Sequence, residues 1–107
     1  MPLIRLEYDD ERVNDADAGR LSQAVRDIVS TVTGIEDVFV YANTARIKVQ
    51  IAPIEVFVEM SASKIQDEDN LVGSIKEKLK EWKSENNFSY PINLTLIPMH
   101  WKIEIDI

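Results

Sequence analysis

The chain has 107 residues, 45% hydrophobic and 29% charged, which suits one modest globular core and excludes a disordered chain. Lys and Arg number 12 against 19 Asp and Glu, a formal charge of -7. Such a surface repels phosphate backbones and no basic cluster overrides it, so nucleic acid is not an expected partner; the lack of cysteine removes disulfides, thiol catalysis and thiolate metal sites.

The first segment, Pro2-Leu3-Ile4-Arg5-Leu6-Glu7-Tyr8, reads as a strand opened by proline. Proline tolerates that position because the first residue of a strand need not donate to the ladder. A small residue after Met1 lets the methionine be removed, and the new terminus would be a secondary amine able to act as a base. The plain alternative is a proline that only starts a strand.

Asp9 to Asp17 is polar and rich in helix caps, with Asp9-Asp10-Glu11 read as a solvated loop. Leu21, Ala24, Val25, Ile28, Val29 and Val32 then fall on one face of a helix, with Arg20, Gln23, Arg26 and Asp27 on the other. Gly34 stands where a left-handed C-terminal cap belongs. Asp37 to Ala42 and Ala45 to Ile51 read as strands joined by a turn at Asn43-Thr44.

The second half repeats the plan. Pro53-Ile54-Glu55-Val56-Phe57-Val58-Glu59 is a strand opened by proline, 51 residues after Pro2. Asp67-Glu68-Asp69-Asn70 places negative charge at a helix start, where the macrodipole favours it. Val72, Ile75, Leu79 and Trp82 form the apolar face of that helix, with Lys76, Lys78, Lys80 and Lys83 outward and Asn86-Asn87 at its end. Ile92 to Ile97 is the next strand, and Met99 to Ile107 alternates as a terminal strand.

The expected architecture is α+β: two β-α-β units, residues 1–52 and 53–107, forming one four-stranded sheet within a single domain, with two helices on one face. The other face would expose more apolar area than a monomer tolerates, so self-association is expected. No apolar run approaches bilayer length and nothing resembles a signal peptide, so the expected location is cytoplasmic, with no membrane partner.

Met1-Pro2-Leu3-Ile4-Arg5, Asn43-Thr44, the Pro53 strand with its helix, and Leu96-Ile97-Pro98 together resemble the tautomerase superfamily. That group includes macrophage migration inhibitory factor, 5-carboxymethyl-2-hydroxymuconate isomerase and the half-length 4-oxalocrotonate tautomerase. A nearer resemblance is to a family of small uncharacterised bacterial proteins of about this length. The resemblance implies a homotrimer with sites at subunit boundaries, each built on a free N-terminal proline that needs no cofactor. Pro2 would be the base, moving a proton on a small 2-oxo or 2-hydroxy-dienoate-like acid.

Cations near such a site would hold the carboxylate and stabilise the enolate. Arg46 and Lys48 are candidates on a strand that reaches a neighbouring subunit, set against charges that merely protect a sheet edge. Arg5 lies opposite Ile4 and Leu6 by alternation, so it faces the subunit interface, as a substrate contact or an intersubunit ion pair. His100 is the only histidine, and Asp67-Glu68-Asp69 lacks the glycine of a calcium loop, so no metal site is expected. The alternative to a tautomerase is a trimeric binding or structural protein that keeps the fold without the chemistry.

Overall fold

A computed structural model describes residues 1–107. The elements run β1 (Leu3–Tyr8), α1 (Asp15–Thr33), β2 (Phe39–Thr44), β3 (Ile54–Ser61), a 3-10 turn (Ala62–Lys64), α2 (Glu68–Glu85) and β4 (Asn93–Met99).

Both helices are set by their ends. Asn14 accepts the Asp17 N–H at 2.8 Å, with Asp15 and Asp17 in the first turn of α1. Gly34 closes that helix with φ 73°, its N–H donating to the Ser30 carbonyl at 2.8 Å. At the second helix Asp67 accepts the Asn70 N–H at 3.0 Å, and the Asn86 N–H returns to the Trp82 carbonyl at 3.0 Å.

The strands form one sheet in the order β2-β1-β3-β4. The outer pairs, β1 with β2 and β3 with β4, are parallel, and the central pair β1 with β3 is antiparallel. Each parallel pair is bridged by a helix, which gives the two expected β-α-β units. Strand alternation sends Ile4, Leu6, Ile54, Val56 and Val58 into the helix layer. There they meet Leu21, Val25 and Val29 of α1 and Ile75 and Leu79 of α2, in one cluster of 15 buried residues drawn from both halves. Trp82 packs at the rim of this cluster, with its ring centroid 5.1 Å from that of Phe88. The opposite face carries Leu3, Arg5, Phe39, Tyr41, Phe57 and Ile97, and no helix covers it.

Several sequence expectations are corrected. Asn43-Thr44 is not a turn; both residues end β2, paired with Glu7 and Tyr8. Ala45 to Ile51 is irregular rather than a strand, because the chain there must cross from the end of β2 to the start of β3. Side-chain bonds pin that crossing: Lys48 reaches Asp9 and Asp10, and Arg12 donates to the Ile51 carbonyl. The last strand stops at Met99, and His100 to Ile107 is exposed with no regular structure. Alternation there found no pairing edge within the protomer, and a strand needs one. In α2 it is Leu71, not Val72, that packs on the core, and Lys83 is half-buried.

Candidate active site at one end of the sheet

Pro2 stands just before β1. Because β1 runs antiparallel to β3, with Leu3 opposite Glu59, this residue lies beside the end of β3 and the 3-10 turn that follows. Its carbonyl accepts the Phe39 N–H at 3.1 Å, and its ring is fully buried, while Met1 is 39% exposed. Three clefts open at this end, none lined by Pro2 itself: one of about 310 Å³ beside Val38 and Phe39, and two others. One, of about 400 Å³ on the helix-free side, is lined by Ser61, Ser63, Met99, His100, Trp101 and Lys102. The other, of about 330 Å³ on the helix side, includes Val32, Met60, Lys64, Asp67 and Leu71.

Lys48 lies elsewhere. Its ammonium donates to Asp9 Oδ1 at 2.7 Å and Asp10 Oδ1 at 2.6 Å, with Glu11 Oε1 at 3.9 Å. Asp9 also accepts Arg12 Nε at 2.7 Å and the Glu11 N–H at 3.1 Å. The loop read as solvated therefore buries Asp9, which is 5% exposed. The bond from Lys48, then those from Arg12 and the Glu11 amide, hold the Asp9 carboxyl well below the usual carboxylate range. The two carboxylates, Asp10 first, hold the Lys48 ammonium protonated well above the usual lysine range.

Distance separates this knot from the proline. Asp9 follows Pro2 by seven residues, roughly 23 Å along an extended strand at about 3.3 Å per residue. Lys48 therefore cannot reach Pro2 of its own protomer. Arg46, two residues before it, is exposed near the same far end. Only a neighbouring copy could bring Arg46 to a proline.

Arg5 points to the helix-free face, as its alternation predicts. Within the protomer it meets Glu59 at 3.3 Å and Glu7 at 3.8 Å, and its guanidinium lies 4.7 Å from the Phe57 ring centroid. These contacts engage it within the protomer, on the helix-free face. The cations that share the proline's end are Lys64 and Lys102, together with Arg26, which lines a cleft with Val38 and Phe39 beside the Pro2 carbonyl. Sequence reasoning passed over the two lysines, because nothing local marks them. The signal that finds them is strand direction, which brings the ends of β3 and β4 beside the start of β1.

No family model matches the chain, and no curated protein matches it in sequence. Solved structures do match in shape. Malonate semialdehyde decarboxylase superposes at TM-score 0.71 and 12% identity, over 98% of this chain and 92% of that one. A 5-carboxymethyl-2-hydroxymuconate delta-isomerase matches at TM-score 0.65 and 15% identity, over 98% and 88%. A fused 4-OT, solved as a symmetric trimer, matches at TM-score 0.64 and 15% identity, over 91% and 85%. The fold is that of the tautomerase superfamily, as the opening residues and the repeated half predict.

Proposed function

We propose that this protein is a cofactor-independent tautomerase of a small carbonyl acid, working as a homotrimer with Pro2 as its base. The observation that carries the reading is the position of Pro2. It sits at the start of a central strand, with its carbonyl anchored by Phe39, at the end of the sheet where several clefts open.

The chemistry requires Met1 to be removed. With Met1 attached the Pro2 nitrogen is an amide, without a basic lone pair. Freed, it is an amine whose ordinary pKa is about 8. The apolar surroundings of its buried ring disfavour the protonated form and lower that value, leaving neutral amine near pH 7. From a 2-hydroxy-dienoate the amine takes the hydroxyl proton, and as that oxygen becomes a carbonyl the electron pair shifts through the double bonds toward carbon. The same proton returns at that conjugated carbon, so nothing is oxidised or reduced.

The trimer is supported by the uncovered face. Phe39 is 53% exposed and Tyr41 44% exposed on that side, and the tail carries Ile103 and Ile105 at 54% and 65%. Contiguous apolar surface of this kind marks association. The symmetric trimer of the fused 4-OT shares the fold and supports the same assembly. In such an assembly Arg46 of one copy could approach Pro2 of the next, and Arg5 would lie in the buried interface.

The test compares Met1-free protein with protein carrying one residue before Pro2, using a 2-hydroxy-dienoate followed by ultraviolet absorbance. Conversion above buffer in the first and none in the second supports the proline mechanism. Equal rates in the two overturn it. A second reading, a trimeric binding protein without chemistry, draws on the full burial of the Pro2 ring. It gains if neither form exceeds buffer.

A further inference from the structure

The cleft on the helix-free side of the proline's end is unusual for so acidic a chain. The chain carries 19 acidic residues against 12 Lys and Arg, yet no acidic side chain lines this cleft. Its polar walls are two hydroxyls, an imidazole and an ammonium: Ser61, Ser63, His100 and Lys102. All four can donate hydrogen bonds. The Ser61 and Ser63 hydroxyls share a hydrogen bond at 2.9 Å, so one hydroxyl of the pair keeps its proton free for an acceptor in the cleft. Met99 and Trp101 supply the apolar remainder.

The backbone explains why these groups meet. Ser61 ends β3 and Met99 ends β4, and the two are partners in the parallel ladder. The chain leaving β4 therefore passes over the 3-10 turn leaving β3, bringing residues 100–102 opposite Ser63. The helix-side cleft differs, since Asp67 sits beside Lys64 there and opposes an anion.

We propose that this cleft binds a small planar carboxylate, with Lys102 supplying the opposite charge, the hydrogen-bonded pair of Ser61 and Ser63 donating one hydroxyl proton to a carboxylate oxygen, and Trp101 with Met99 flanking the carbon skeleton. Its volume of about 400 Å³ suits a molecule of that size. It rests on the proline reading only for its catalytic meaning, since the cleft lies at the end of the sheet where β1 begins and Pro2 is not among its walls. A second copy docked on the helix-free face would close the open side of the cleft, excluding water and strengthening the ion pair.

Binding is tested apart from turnover, on protein that retains Met1. Benzoate is the probe and benzamide its uncharged counterpart, titrated while amide and indole N–H resonances are followed by NMR. Benzoate is expected to shift Trp101, Ser61 and Ser63 saturably in the millimolar range, with benzamide at least about tenfold weaker. Lys102→Met should weaken benzoate about tenfold and Lys102→Arg should restore most of the loss. Lys102 is exposed in the irregular tail, so its replacement leaves the core untouched. Equal binding of benzoate and benzamide, shifts confined to the Lys64 side, or indifference to Lys102→Met each overturns the proposal. The two readings fail separately. Benzoate binding without turnover in Met1-free protein defeats the proline mechanism and leaves the cleft standing. Turnover without benzoate binding does the reverse.

Discussion

Lys48 and Asp9 form an ion pair at 2.7 Å between the irregular crossing segment and the loop after β1, with side chains only 16% and 7% exposed. Arg12 completes the knot from the other side of Asp9 and reaches the Ile51 carbonyl. Two stretches far apart in sequence, residues 9–12 and 48–51, are thus held at the end of the sheet opposite Pro2.

Acid sensitivity should follow from this knot. Asp9 has a folded-state pKa far below its unfolded value of about 3.9, so its contribution is complete above about pH 5. It is lost as pH falls through and below the ordinary carboxylate range. Lys48 works in the opposite sense: its raised pKa keeps its contribution intact up to the ordinary lysine range and loses it only at more alkaline pH. Urea midpoints measured between pH 7 and pH 3 should fall more steeply in the native sequence than in Asp9→Asn. The same slope in both would show that the pair adds no stability. Lys48→Met should lower the midpoint at pH 7 without altering any activity owed to Pro2 of the same protomer.

Replacing the terminal proline tests the amine itself. In Met1-free protein, Pro2→Ala keeps a free terminus but exchanges a secondary amine for a primary one, so activity should fall less than when the terminus is blocked. The rate with native Pro2 should rise with pH through a value below the ordinary α-amino figure of about 8. A pH-independent rate would remove the amine from the mechanism.

Assembly should depend on the helix-free face. Phe39, at the edge of that face and 53% exposed, contributes little to the protomer's own core. Phe39→Asp should therefore yield a folded species of lower mass by light scattering, with unchanged helix content by circular dichroism. A variant that still runs as a trimer would place the contacts elsewhere.

A local cost is expected at Gly34, which caps α1 with φ 73°. A Cβ there meets nothing within 4 Å, so the penalty of Gly34→Ala is conformational alone, about 1 kcal/mol. Gly34→Asn should cost less, because asparagine tolerates the left-handed region. Urea denaturation of the two variants should rank them in that order.

The helices and the inner strands were legible in the sequence because their signals are local. Leu21, Val25 and Val29 recur at helical spacing, and Gly34 marks the end of that helix by backbone chemistry that acts within a few residues, whereas only the structure picks Asn14 from the possible caps between Asp9 and Asp17. The repeat at 51 residues announced two β-α-β units before any coordinates, and the sheet order agrees with it. Alternation in Trp101 to Ile107 misled for a physical reason: period two states which side chains share a face, and pairing needs an edge that the protomer does not offer.

What the sequence determined by itself was Pro2 at the head of a strand, two similar halves and a core divided between them. Tertiary structure alone decided which cations stand near that proline. The antiparallel match of Leu3 with Glu59 carries the ends of β3 and β4 to the start of β1, and with them Lys64 and Lys102. The same geometry sends Lys48 to the far end, where Asp9 and Asp10 claim it. Strand direction is a property of long-range pairing, and no window of sequence contains it.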